Sequence, residues 1–296
     1  LNIFLLAIFV AFASCSFTTK TFDNPDKDKL LMQLITYLLE QGHFQPKDFN
    51  DDFSKDVYSR FLKRVDPYKH YFYQSDLDNF KKFELELDDQ IQNYDVQFFN
   101  LVYEQLMLRI EESNATYKAI LSSPFDYDID ETFQSDPDQL EFVSSKKQMR
   151  ERWRKQLKLS TLSNYHDLVS EQDSKKEDSV TVIKSKSEFE AESRAATLKS
   201  LEETAVYMND LRRDDWLSMY INSIAESFDP HTFYFAPQAK ERFDASMSGK
   251  YEGIGARLQK KMDEITITEL ISGGSAWRQN KLQVGDIILK VRQEDE

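Results

Sequence analysis

The 296-residue sequence is 40% hydrophobic and 13% aromatic, enough apolar material for about two domains with sizeable cores. Its formal net charge of −14 argues against a nucleic-acid partner, because phosphate binding needs clustered Lys and Arg. Seven glycines in the whole length favour helix, which avoids glycine.

The chain opens on LNIFLLAIFVAFASCS, an apolar run followed by small residues. The run is too short to span a bilayer as a standard helix. It matches the hydrophobic region of a signal peptide, residues 1–14, without a Met or a basic start. The exit reads two ways. Ala11-Phe12-Ala13 is a signal-peptidase site, and Ala13-Ser14-Cys15 is similar to a bacterial lipobox, with Cys15 lipidated after cleavage. Either predicts export, with membrane attachment only through the signal sequence or a lipid on Cys15. Cys15 is the sole cysteine, which excludes an intramolecular disulfide and a cysteine metal site.

Asn24-Pro25 is a helix start, and Leu30, Leu31, Leu34, Ile35, Leu38 and Leu39 follow at helical spacing up to Gly42. A second helix is predicted from Phe53 to Val65, where Asp66-Pro67 stops it. Ser75 is read as the cap of a helix carrying Leu77, Phe80, Phe83, Leu87 and Ile91. The next helix starts near Asp95, and Pro124 closes it. FDYDIDETFQSDPDQ reads as an acidic connector. A helix predicted from Asp138 to Leu159 carries Lys146, Lys147, Arg150, Arg152, Arg154 and Lys155, read as a solvated basic face. SEQDSKKEDSVTVIKSKS has no apolar period and reads as a mobile loop. Helices follow from about Glu188 to Arg213, and from Asp214 or Asp215 to Ser227.

RVDPYKHYF (Arg64–Phe72) and SFDPHTFYF (Ser227–Phe235) make the same turn twice: a helix end, Asp-Pro, then an aromatic strip. The repeat predicts two buried corners, with both Phe72 and Phe235 in the core. His231 is read as part of that packed corner, since the first copy has Tyr68 there.

After Met247 glycine becomes frequent, EITITEL alternates apolar and polar residues, and DIILKV reads as a further strand. The predicted organisation is a helical region over residues 15–244 and a small β-rich domain over residues 245–296. Gly253-Ile254-Gly255 can turn its backbone N–H groups to one side, because glycine allows positive φ. Such a nest holds a carboxylate. A tight turn with no ligand is the plain alternative. On the nest reading, Ile254, Ala256 and Leu258 share one strand face and form the floor for an apolar side chain.

Gly274-Ser275-Ala276, Leu282 and Gly285-Asp286-Ile287-Ile288-Leu289 with Val291 resemble the core signature of PDZ domains. Asp229-Pro230-His231-Thr232 with Tyr234-Phe235, Glu252-Gly253-Ile254-Gly255-Ala256 and Gly285-Asp286-Ile287-Ile288 together resemble the tail-specific, or carboxy-terminal processing, serine proteases of bacteria. The fold class implied is a mainly α N-terminal region followed by part of a PDZ domain. The resemblance implies cleavage of proteins near apolar C-termini by a Ser nucleophile and a Lys base, with no metal or other cofactor. It implies a periplasmic location in the cell envelope and partners with apolar tails, and it leaves an adaptor protein open. Substrate-binding residues would be Gly253, Ile254, Gly255, Ala256 and Leu258.

No catalytic residue is assigned within the sequence. Ser248 and Lys250 are too close together to form the implied dyad, and His43, His70 and His166 make no i, i+4 metal pair. The Ser and Lys are expected beyond Glu296, the sequence is expected to be truncated at both ends, and the chain alone is expected to cleave nothing. Two other readings compete: a non-enzymatic envelope protein that tethers partners through its PDZ domain, and a structural helical scaffold.

Overall fold

A computed structural model describes residues 25–174, 184–248, 253–261 and 264–291. The leader, Cys15, Lys250 and half of the predicted polar loop, 175–183, lie outside the described residues; residues 170–174 of that loop are helical.

Helix α1 runs Pro25–Tyr37 and widens into a π turn at Leu38–Gly42. Helix α2, Asp51–Val65, starts where the Asn50 side chain accepts from the Asp52 and Phe53 N–H groups. Acidic Asp51 and Asp52 stand at its positive end, and Lys63 and Arg64 at its negative end. The predicted helix behind Ser75 is instead three pieces: α3 Gln74–Phe80, a 3₁₀ turn Lys81–Phe83 and α4 Leu87–Gln92. The Asp76 carboxylate accepts from the Tyr73 N–H at the start of α3, so capping begins two residues before Ser75.

Helix α5, Gln97–Leu121, has 25 residues and is about 37 Å long. Helix α6 spans Lys146–Ser174, starting and ending later than predicted. Helix α7, Lys186–Asp210, opens with a capping box of Ser185 and Glu188. Helix α8 is Arg213–Phe228. Helix α9, Pro237–Ser248, was not predicted. The C-terminal part holds β1 Ala256–Lys261, β2 Glu264–Leu270 and the short α10 Ser275–Gln279. The two strands pair antiparallel, Ala256 opposite Leu270.

Helices α1 to α5 and α8 surround one aromatic core in which Phe61, Phe98, Phe99 and Tyr220 are buried. Phe61 meets Tyr220 edge-on at 5.1 Å between centroids. A second core lies at the far end of α5, where Tyr117, Ile120 and Leu121 pack on Met149, Trp153 and Leu157 of α6. One long helix therefore belongs to both cores and fixes their separation.

Three expectations need correction here. The buried face of α1 is Met32, Thr36 and Leu39, while Leu30, Leu34 and Leu38 are exposed. The α6 cations are not merely solvated: Arg154 and Lys158 both pair with Glu131, and Lys155 donates to the Thr132 carbonyl, so together they pin the acidic connector. DIILKV does not extend into a full strand. It bridges β2 once, at Ile287 opposite Thr266, held by Gly285, Asp286 and Ile288 backbone bonds.

The two Asp-Pro corners also differ. Asp66 is buried, and its carboxylate accepts from the His70, Tyr71 and Phe72 N–H groups at 2.7, 3.1 and 2.9 Å. That draws the aromatic strip inward, and Phe72 is 0% exposed. The Asp229 carboxylate instead accepts from the His231 N–H and the Thr232 hydroxyl. The Asn222 side chain, by contrast, holds both the N–H and C=O of Tyr234. The strip is then fixed along the flank of α8. Phe235 stacks on Phe243 of α9 at 5.0 Å and stays 43% exposed, so it is not a core residue. The His231 side chain is exposed rather than packed.

The first corner carries a pH dependence. His70 stacks on Trp153 at 4.8 Å, and Trp153 donates to the His70 carbonyl. Burial, helped by Arg152, pushes the His70 pKa down to about 4. The unfolded chain takes up the proton near its ordinary value of about 6.5, so this contribution is present above that pH and is lost as pH falls through 4. Burial raises Asp66 to about 6 against the pull of its three N–H donors, which favours the folded form as pH falls over nearly the same window. At this corner the two groups oppose each other. Comparing wild type with His70→Gln by urea denaturation isolates one of them. The stability gap should shift by about 3 kcal/mol in favour of the variant between pH 7 and pH 4. A gap that does not change with pH refutes the assignment.

Candidate functional site

The site is assembled around Gly255, whose φ is +77°. A Cβ there would lie 2.8 Å from the Ser275 nitrogen and 2.9 Å from the Gly274 Cα. A Cβ on Gly274 would in turn meet the Gly255 Cα at 2.9 Å. The two glycines stand back to back, so neither position admits a side chain. The sequence reading identified Gly255 and missed Gly274 as its counterpart.

This contact fixes the direction of the loop. The Ile254 carbonyl accepts from the Ala276 N–H at 2.8 Å, and the Gly255 carbonyl accepts from the Ile271 N–H at 2.9 Å. In a trans peptide the N–H points opposite to the C=O of the same unit. There are no cis peptides among the described residues. The Gly255 and Ala256 N–H groups therefore point away from Ala276 and Ile271, whose N–H groups take those carbonyls. Two neighbouring N–H groups turned away from these pairings can receive a carboxylate or another anion.

Apolar side chains flank the turn. Ile254 is 49% and Leu258 47% exposed. Ala256 and Leu258 lie on β1 two residues apart, on one face. Ile254 precedes the strand, so the expected three-residue face is a two-residue face with Ile254 standing at its mouth. Gly253 is exposed at the entry to the turn. Ile267 of β2 and Ala276 of α10 are buried. The Asp286 carboxylate accepts from the Gln283 N–H at 2.8 Å, and Gly285 takes φ +97°. These place residues 285–288 beside β2, as the glycine-aspartate turn in the sequence implies. A β-bulge between Arg257 and Leu258 adds Thr268 to β2, and the Thr268 hydroxyl donates to the Arg257 carbonyl.

The other sequence candidates are dispersed. Ser248 is exposed at the end of α9, where its hydroxyl bonds the Ala245 carbonyl. His43 reaches Thr232, His70 is buried on Trp153, and His166 is at the surface beside Asp167. Among the described residues no group of three His, Cys, Asp or Glu side chains could hold a metal ion. No helix among them is long and apolar enough to cross a membrane.

Residues 35–238, more than half of the chain, match the family described as the tail specific protease N-terminal domain. Residues 244–295 match the PDZ domain family. The chain is 26% identical over 269 residues to a tail-specific protease of Haemophilus influenzae, covering 90% of this chain and 36% of that protein. A Staphylococcus aureus protein named "Probable CtpA-like serine protease" is 35% identical over 68 residues, 23% of this chain and 14% of its own length. The chain thus spans about a third of the length of the Haemophilus relative.

Proposed function

The chain belongs to the tail-specific protease family, and from that premise we propose that it is the substrate-capturing and scaffolding part of an exported serine endopeptidase acting on proteins with apolar C-termini. The observation that carries this reading is the pair of N–H groups at Gly255 and Ala256, turned away from Ala276 and Ile271, beside exposed Ile254 and Leu258. A substrate's terminal carboxylate would accept from both N–H groups. Its last side chain would lie over Leu258 and Ala256, while its backbone extends along β1 as an added strand.

Cleavage is assigned to a Ser and a Lys outside these 296 residues, so this chain alone binds without cutting. The Lys would have to be buried to stay uncharged and act as base. The envelope location and the leader belong to the same reading, with the periplasmic side as the site of action.

Amidation provides the test. Hydrogen bonds to a charged group are worth roughly 1.5–3 kcal/mol each. Amidating an apolar-tailed peptide should therefore weaken binding by at least about tenfold. Gly255→Val should do the same, because its Cβ would collide with the backbone at Gly274 and Ser275. Equal affinities for the acid and amide forms, measured by calorimetry, reject carboxylate capture and leave a ligand-free turn.

A further inference from the structure

Between α1 and the start of α9 lies an apolar trough of about 460 Å³, floored by Leu30, Leu31, Leu34, Leu217, Tyr234 and Pro237. Its floor includes two of the leucines that α1 turns outward, Leu30 and Leu34, at 56% and 51% exposure. Charges on its rim are mostly matched to one another. Lys27 pairs with Asp214 at 2.6 Å, Asp28 with Arg213 at 2.7 Å, and Arg212 with Asp215 at 3.8 Å. Arg242 also lines the trough, and it makes no ion pair among the described residues. An occupant that suits this surface is apolar over most of its length and carries one negative group at the Arg242 end. A long charged ligand would find the rim already neutralised.

Position narrows the occupant further. Strand β1 lies near the trough, since Lys260 pairs with Asp210, two residues from Arg212 on the rim, and helix α9 lines the trough with its first turns. Its 12 residues are about 18 Å long. A polypeptide held at the loop by its C-terminus has to pass somewhere upstream, and an extended chain covers that helix length in about six residues.

We propose that the trough is a second contact for the polypeptide whose tail the Gly253–Ala256 loop holds, taking an apolar stretch with one acidic side chain upstream of that tail. The inference rests on the carboxylate reading of the loop. Two linked contacts raise affinity by making the second intramolecular, provided the linker matches their spacing.

The test uses fluorescein-labelled peptides titrated by anisotropy. The short probe ends in Ala-Leu-Val with a free carboxylate. The long probe adds Leu-Leu-Glu upstream, through a Gly-Ser spacer of about ten residues whose r.m.s. span is ~18 Å. A third probe has Lys in place of that Glu. The long probe should bind about tenfold tighter than the short one. Leu34→Glu and Arg242→Glu, both at exposed positions, should each remove that gain and leave short-probe affinity unchanged. The Lys probe should recover the gain with Arg242→Glu.

Equal affinity of long and short probes, with the amidation effect intact, rejects the trough alone. Loss of the amidation effect with the gain intact rejects the loop reading and leaves the trough as a peptide site. A Leu34-dependent self-association in sedimentation, or Leu34-dependent binding to phosphatidylcholine vesicles, with no gain for the long probe, would assign the trough to a second copy or to lipid and overturn the proposal.

Discussion

Phe72→Ala should cost about 3–5 kcal/mol of stability, whereas Phe235→Ala should cost no more than about 1.5 kcal/mol. The two positions are equivalent in the sequence repeat, so the contrast tests whether the corners differ in fact. The Phe72 ring is fully buried and meets Phe80 edge-on at 5.3 Å. Truncating it removes a whole ring from the core and leaves a cavity that the helices around it can only partly close. The Phe235 ring is 43% exposed and touches Phe243, itself a surface residue of α9. Its removal leaves no internal cavity and forfeits mainly one aromatic contact. Urea denaturation of the two variants against wild type gives the comparison. Equal losses at both positions would mean that the second strip is as deeply packed as the first.

That contrast also marks where the sequence was legible. Helix ends are legible where their causes are local, as at Asp66 before Pro67; the caps at Asn50 and at Ser185 with Glu188 are as local and went unread. The inward pull at the first corner is local too, since Asp66 reaches N–H groups four to six residues on. The second corner is decided by Asn222, twelve residues upstream on α8, and no spacing rule points to it. Helix α9 escaped notice because PQAKERFDASMS offers only Phe243 and Met247 as large apolar residues and buries neither. The leucines of α1 misled in the opposite direction. A helix with apolar residues on two sides gives a good period and no indication of which side faces the core.

At the candidate site the same division holds. Gly253 and Gly255 stood out as a turn that needs special backbone angles. The reason Gly255 tolerates no side chain lies across space at Gly274, and Gly273-Gly274 was the available signal. The direction of the Gly255 and Ala256 N–H groups depends on which donors take the neighbouring carbonyls. That is a fact of tertiary pairing, which the glycine pattern permits without dictating.

Asp28→Ala should be the most damaging single change near the trough, at about 3–5 kcal/mol. Asp28 and Arg213 are both buried, with side chains 5% and 9% exposed. The Arg213 guanidinium donates to Asp28, donates to the Asn100 side chain and lies over the Phe99 ring at 4.9 Å. This one cation therefore ties α1 to both α5 and α8. Removing Asp28 deprives a buried positive charge of the buried carboxylate that faces it, while the bond to Asn100 stays. That accounts for the expected size, which greatly exceeds that of a surface pair such as Lys63 with Asp138. The cost belongs to the stranded charge and not to the pair as such. Two apolar residues of similar size avoid the desolvation of both ions. The double variant Asp28→Leu with Arg213→Met should accordingly be less destabilised than Asp28→Ala alone, although Asn100 loses its donor. Urea denaturation of the single and double variants decides. A double variant that loses as much as Asp28→Ala alone, or more, would show that the pair stabilises the fold by its own attraction. The stranded-charge account would then fail, and α1 would be held by the ion pair itself.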